Sequence, residues 1–527
     1  MANHPLHLVG AIVQKRSIRS LMAQFCSVAA GLATGKSSGN ALSARSGITI
    51  VRRRFEVYPR MSSPNVMVPV ALAAFVLFVL GCFIQLSPQR ALLVSLFTGW
   101  LFLPTFDNAY AVPLLHAKVM FVPAVVLFAS VAFDGARWMR FRPRLLDLPM
   151  ALVCCSPFAS SLANDLGSYD GGSAVFEMSL IWGVPYLFGR VYFDEPGALR
   201  DLARAIVAAT LAYVPFCLWE IRMSPQLHAT VYGFQPFGSF VQAIRFGGYR
   251  PSVFMAHGLM LGMFMTSGTL IALWIWRTHA LEDLWGVPIG WFCAALAMTT
   301  LLCKSTGAAA LLVLGLGVLE AARRLRSSMP LLILLVLPPA YCVARTSGWT
   351  GRQLVSLSEE VVNEDRAASV EFRIVNEDQL IAKALQRPWL GWARWGRSRV
   401  YDESGKDVSI IDGLWILTLG TSGLVGLAAL GLALALPTLL LVSLFPGRQW
   451  SDTRLAPTAA LAVAGALGMI DDVFNAMLSP IFPVIVGSLV GLYLTVKAAR
   501  RRRPAAPRRS AALARPFATV PRPMGAD

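Results

Sequence analysis

Apolar residues in this chain gather into long runs, and the polar ones are left in the gaps between them. Thirteen runs stand out: 68–84, 91–103, 119–133, 146–160, 173–188, 203–219, 251–276, 287–303, 307–319, 331–343, 423–445, 456–470 and 481–496. Many approach the roughly 20 residues that an α-helix needs to cross bilayer hydrocarbon. In lipid the backbone must satisfy its own polar groups, so such runs read as helices. The pattern predicts an all-α, polytopic helical membrane protein of about 12–13 spans. The run 91–103, bounded by Pro88 and Pro104, is the weakest candidate for a full span.

One polar island breaks the series. Residues 345–412 hold 10 Lys/Arg and 11 Asp/Glu, 21 of the chain's 76 charged residues. Ordinary connections run about 4–6 residues, so this one carries structure of its own. Between 370 and 385 apolar residues recur three and four apart, which predicts a helix that Pro388 stops. The island is therefore expected to be a large, helical, extracytoplasmic loop that caps something.

Charge sets the orientation. The groups Arg137-Arg140-Arg142-Arg144, Arg323-Arg324-Arg326 and Arg500–Arg503 lie in short loops and should be cytoplasmic, which places the island outside. The predicted layout is a basic, disordered extension at 1–60, membrane segments at 61–344, the loop at 345–412, further spans at 413–496, and a disordered basic cytoplasmic tail at 497–527. Met61 reads like a start site. The net charge of +18 comes mostly from the two ends, each contributing +8. Those ends lack interleaved aromatics for base stacking, so nucleic acid is not an expected partner, whereas membrane lipids are. Eight cysteines fall without any CxxC spacing, which predicts neither a zinc site nor a disulfide framework. No P-loop, HExxH or Gly-x-Ser-x-Gly element occurs, and no internal repeat points to a transporter of inverted repeats.

Four places carry candidate chemistry. Arg245 and Arg250 flank Gly247-Gly248 just before the run 251–276, where Pro251 suits a first helical turn. Guanidinium forks beside a helix start favour an anion; interfacial arginines reaching lipid headgroups are the alternative. In the island, Arg366 and Arg373 lie seven apart and share a helix face, where they could meet one anion or pair with Glu359, Glu364, Glu371 or Glu377. Asp412 closes the island at the edge of an apolar run, as a base toward a hydroxyl or as a helix cap. His257, Glu177 and Lys304 sit in or beside apolar runs, where ionisable groups are costly unless used. The turn Arg387-Pro388-Trp389-Leu390-Gly391-Trp392 suits a sugar-facing or membrane-interface surface.

The order of many spans, arginine-bearing external loops, one large external loop and a few more spans resembles the bacterial O-antigen ligase and O-antigen polymerase superfamily. The resemblance lies in the stretch from Arg245 to Gly258, the run from Arg373 to Gly391, and the stretch from Asp412 to Gly426, within a likeness over most of residues 61–500. It implies a GT-C-like inner-membrane glycosyltransferase with a periplasmic loop. The implied substrate is an undecaprenyl-diphosphate-linked oligosaccharide, with no metal or cofactor and with other polysaccharide-assembly proteins as partners. The ligases characteristically carry His where Asp412 stands, so the aspartate resembles the polymerase-type members. The implied roles are Asp412, Arg245 and Arg373 in catalysis, and Arg250, Arg366 and His257 in binding diphosphate or glycan. An O-antigen ligase proper and a polytopic transporter are the alternatives.

Overall fold

The computed structural model describes residues 64–105, 115, 117–236, 240–361 and 364–502. The expectations for 1–60, for Arg503 and for the rest of the tail beyond it lie outside those residues. Helices α1 (Met67–Gln85), α2 (Pro88–Phe102) and α3 (Lys118–Arg140) lead through a tight turn to α4 (Leu148–Ala163). Helices α5 (Gly167–Met178) and α6 (Val184–Tyr192) form one path joined by a π turn at Ser179–Gly183. Next come α7 (Pro196–Met223), the short α8 (Leu227–Tyr232) and a hairpin of β1 (Ile244–Arg245) and β2 (Gly248–Tyr249). Then follow α9 (Gly258–Arg277), a second hairpin of β3 (Asp283–Leu284) and β4 (Val287–Pro288), and α10 (Ile289–Leu302), α11 (Thr306–Leu325) and α12 (Met329–Thr346). The island supplies α13 (Arg352–Val361) and α14 (Glu364–Ala384), the latter covering most of the expected helix. Helices α15 (Leu414–Leu444), α16 (Ala456–Phe474) and α17 (Ile481–Arg502) complete the chain, and α17 carries the start of the basic tail.

Nine helices among the described residues are long and apolar enough to cross a membrane, fewer than the twelve or thirteen expected. The four other runs fall short for identifiable reasons. Run 91–103 lies in α2, of 15 residues, and 287–303 in α10, of 14. Run 173–188 is divided by the π turn. Run 307–319 lies in α11, whose last turns bring in Glu320, Arg323 and Arg324.

Polar contacts sort the helix termini into two ends of a bundle. At one end Asp147 accepts hydrogen bonds from Tyr186 (2.6 Å) and Arg190 (3.1 Å), and Thr495 donates to Asp194 (3.3 Å). There too Arg500 donates to the Leu444 carbonyl (3.3 Å) and the Gly447 N–H to Ser328 (2.8 Å). The described arginines of the three groups expected together in short loops, up to Arg502, therefore share this end. At the other end Lys118 reaches the Leu103 carbonyl (2.9 Å), Arg387 the Ala163 carbonyl (3.1 Å) and Arg373 the Phe474 carbonyl (3.0 Å). The island sits here.

Helix α9 is buried almost throughout. Its small residues let neighbours come close, with Gly268 against Thr210 of α7 and Gly262 against Ser305 and Ala308. The hydroxyl of Thr266 donates to the Ala308 carbonyl (2.9 Å), so a polar group inside the bundle is satisfied across helices.

Helix α15 is broken at Gly423, whose φ is +65°. The island fills the break. The Leu424 N–H donates to the Pro388 carbonyl (2.7 Å) and the Val425 N–H to that of Trp389 (3.2 Å). In return the Trp392 N–H donates to the Gly420 carbonyl (2.8 Å) and the Ala393 N–H to that of Thr421 (3.0 Å). Non-helical backbone at membrane depth survives where protein supplies its partners. Gly391, at φ +69°, sits so close that a Cβ would lie 2.6 Å from the Thr421 carbonyl carbon. Gly391→Ala should therefore cost about 1–3 kcal/mol and free the island for limited proteolysis. Gly405→Ala, at φ +78° but in open space, is the control and should leave the cleavage pattern unchanged.

Candidate functional site

The site is assembled from two segments far apart in sequence. The first is the stretch from Arg245 to His257. Its hairpin turns through Phe246 and Gly247, both at positive φ (+49° and +65°), and β2 then carries the chain to Arg250. Pro251 does not open a helix, contrary to expectation; α9 begins at Gly258. Glu220, fully buried near the end of α7, supplies the reason. Its Oε2 accepts the N–H groups of Ser252 (2.8 Å) and Val253 (2.7 Å), and its Oε1 that of Leu227 (3.0 Å). These bonds hold Val253 at φ +53°, a conformation that no helix contains. Lys118 adds a bond from Nζ to the Phe254 carbonyl (2.7 Å).

Arg250 is buried and lies along Gly258, with Nη2 directed at the Lys304 carbonyl (3.5 Å). Lys304, isolated in the sequence, turns back to donate to the Phe246 carbonyl (3.2 Å). His257 lies not inside a span but at the N-cap of α9, where Nδ1 accepts the Leu259 N–H (3.1 Å) and Nε2 contacts Gln242 Oε1 (3.1 Å). An acceptor at Nδ1 makes Nε2 the protonated nitrogen of a neutral ring.

The second segment is the island. Arg373 of α14 donates to the Phe474 carbonyl and contacts Asp412 (Nε to Oδ2, 3.4 Å). Asp412 does not cap α15: the N-cap is Gly413, and no side chain caps it. Arg366 falls in the first turn of α14, and its side chain lies outside the described residues.

The two segments meet electrostatically at His257. Burial first, then the charges of Arg250, Arg245 and Arg373, push its imidazole down to about 4. Arg245, Arg250 and Arg373 thus each act on His257 through their charge, Asp412 contacts Arg373, and Lys304 joins the hairpin through Phe246. Asp471 and Asp472, at the end of α16, were missed. Asp471 accepts a hydrogen bond from Asn475 (2.7 Å) and feels the charge of Arg373. The signal was present, as two adjacent carboxylates directly after an apolar run.

The island is fastened from below. Arg345, almost fully buried at the end of α12, donates to Glu377 (3.1 Å) and the Ile374 carbonyl (3.0 Å) and pairs with Asp378 (2.9 Å). Glu377 also accepts from Tyr341 (2.7 Å) and Trp415 (3.3 Å). Burial raises the Glu377 carboxyl above its usual range, against the pull of those donors. Glu177 is likewise not isolated: Arg394 of the island reaches it at 3.0 Å and Asp170 at 2.9 Å. Trp392 is held between Lys383 and Arg387, 3.8 and 4.7 Å from its ring centre, while Trp389 is exposed. No protein-family model and no curated protein sequence matches the chain.

A concentration of fixed cations with a carboxylate at its edge can bind a multiply charged anion and polarise a hydroxyl beside it. The depressed His257 gives a sign for pH. Below pH 6.5 the unfolded imidazole takes a proton that the folded one refuses, so stability falls as pH drops from 6.5 through about 4. The melting temperature of His257→Gln should decline less than that of the parent protein over this interval, in a parallel thermal-shift series.

Proposed function

We propose that this protein is a membrane glycosyltransferase that polymerises or transfers undecaprenyl-diphosphate-linked glycans at the periplasmic face of the bacterial inner membrane. The observation that supports the reading is that the charges of Arg245, Arg250 and Arg373 all act on His257 at the island's end of the bundle, with Asp412 paired to Arg373. A polyprenyl diphosphate leaves as a multiply charged anion. Fixed guanidinium groups stabilise the charge that develops on it, and holding them in place beforehand makes them effective. Asp412 would orient or deprotonate the acceptor hydroxyl, with Asp471 close to the same arginine. The polymerase-type resemblance of the aspartate favours chain extension over transfer to a ligase acceptor.

A transporter would draw on the break in α15. Its freed backbone groups, however, are bonded by the island turn, which makes the break a socket for that turn.

The test is a gel assay with purified, reconstituted protein and a lipid-diphosphate oligosaccharide. Arg245→Ala and Arg373→Ala should each cut polymer formation on the order of 100-fold, the size expected for a lost charge-stabilising donor. Asp412→Asn should abolish it while leaving substrate binding intact, as read by a retained thermal shift with the lipid-diphosphate. Full polymer ladders from both arginine variants would remove these residues from the site.

A further inference from the structure

A short turn, Cys303-Lys304-Ser305, joins α10 to α11 beside the arginine segment. Its outer two residues are buried, and Gly262 of α9 packs against Ser305. Lys304 stands between them at φ +53°, in the left-handed region where glycine or asparagine is the ordinary choice. A lysine at the end of an apolar run usually extends its stem toward lipid headgroups. Lys304 instead folds over the hairpin, and its Nζ donates to the Phe246 carbonyl at 3.2 Å.

The hairpin is shaped to receive it. Phe246 and Gly247 both hold positive φ, and the carbonyl between them is the one that Lys304 takes. Gly248 follows, and a Cβ on it would overlap the Lys304 ammonium. Gly248 is not at positive φ, so close approach is what the absent side chain allows. On the other side the Lys304 carbonyl faces Arg250, whose Nη2 lies 3.5 Å away. The stem of Arg250 runs along Gly258, where a Cβ would overlap it. Lys304 thus meets both ends of the segment: its side chain holds the residue next to Arg245, and its backbone faces Arg250.

We propose that Lys304 is a positioning residue that fixes Arg245 and Arg250 relative to each other, so that the two guanidinium groups meet one diphosphate together. The inference rests on the reading above and assigns the part of the site that sets its register. The ammonium is occupied with a backbone carbonyl, which leaves the guanidinium forks, the better match for phosphate oxygens, to the ligand.

The test measures binding of farnesyl diphosphate, a soluble diphosphate probe, to the full-length protein in nanodiscs by titration calorimetry. Lys304→Met should weaken binding about tenfold, the effect of losing one charge-assisted hydrogen bond. Gly248→Ala keeps the lysine but displaces its ammonium from the carbonyl, and should weaken binding as much. The double variant should fall within about twofold of either single one, since both changes break the same contact. In an Arg245→Ala background Lys304→Met should cost about threefold or less, because Lys304 acts in part through that arginine. Both single variants should keep the parent's melting temperature, since the contact lies at the surface. A loss confined to Lys304→Met, with Gly248→Ala unaffected, would mean that the ammonium meets the phosphate itself and would overturn the proposal. Additive effects, full affinity in both single variants, a lowered melting temperature in both, or a parent that does not bind the probe would overturn it too. A parent that makes polymer but shows no coupling would defeat the clamp alone. Coupled variants in a protein that binds the probe and makes no polymer would defeat the glycosyltransferase reading and leave the clamp standing.

Discussion

Glu377 is the point on which the island's geometry depends. It takes hydrogen bonds from Tyr341 and Arg345 of α12 and from Trp415 of α15, so one carboxylate ties α14 to two other helices. Arg373 lies four residues earlier on the same helix, one turn away. Fixing Glu377 therefore fixes the height and rotation at which Arg373 meets Asp412 and the end of α16. Breaking a buried pair of this sort by removing one partner costs about 3–5 kcal/mol, because the other charge is left in a poorly solvated place. Arg345 also holds the Ile374 carbonyl and Asp378, which distributes the restraint over a full turn of α14.

Glu220 does the corresponding work for the other half of the site. It is a fully buried carboxylate at the end of α7, and it binds backbone N–H groups instead of a cation. The segment from Arg250 to His257 is thereby kept from continuing α9 toward its N-terminus. A helix through Pro251 would carry Arg250 around with its turn and dissolve the hairpin that presents Arg245. The break in α15 follows the same rule in reverse, since its unsatisfied backbone is bonded by the island's Pro388 and Trp389. In both places irregular backbone beside long apolar helices exists because a partner on another element accepts or donates to it.

This pattern explains what could be seen in the sequence and what could not. The apolar runs gave helices, and the spacing in 370–385 gave α14, because those signals are local. That the Arg245–His257 stretch and the island share one end was legible from sidedness: both loops had to emerge there if the arginine-rich loops shared the other end. The start of α9 was misjudged because the decisive group, Glu220, lies about thirty residues away in sequence and reads as one more acid near a span end. Two of the runs ended in a π turn or a short helix, which hydropathy does not register. Lys304 and Glu177 looked solitary for a similar reason, since their partners Phe246 and Arg394 come from other elements.

The contact between Arg373 and Asp412 differs in kind from the two anchors. It is 3.4 Å long, and both side chains are about one-third exposed, at 30% and 36%. An exposed pair of that sort contributes little, in the range of 0–1 kcal/mol, so it can be exchanged without disturbing the fold. On the proposed reading an incoming diphosphate offers Arg373 more negative charge and better fork geometry than a single carboxylate does. Arg373 would turn toward the phosphate and release Asp412 from its cation, freeing the carboxylate to accept a hydrogen bond from the acceptor hydroxyl. A neutral His257 fits this scheme. It occupies a position crowded by arginines without adding a charge of its own, and its Nε2–H remains a donor. On the proposed reading, then, rigid carboxylates hold the scaffold, while a loosely held one, Asp412, takes the chemical role.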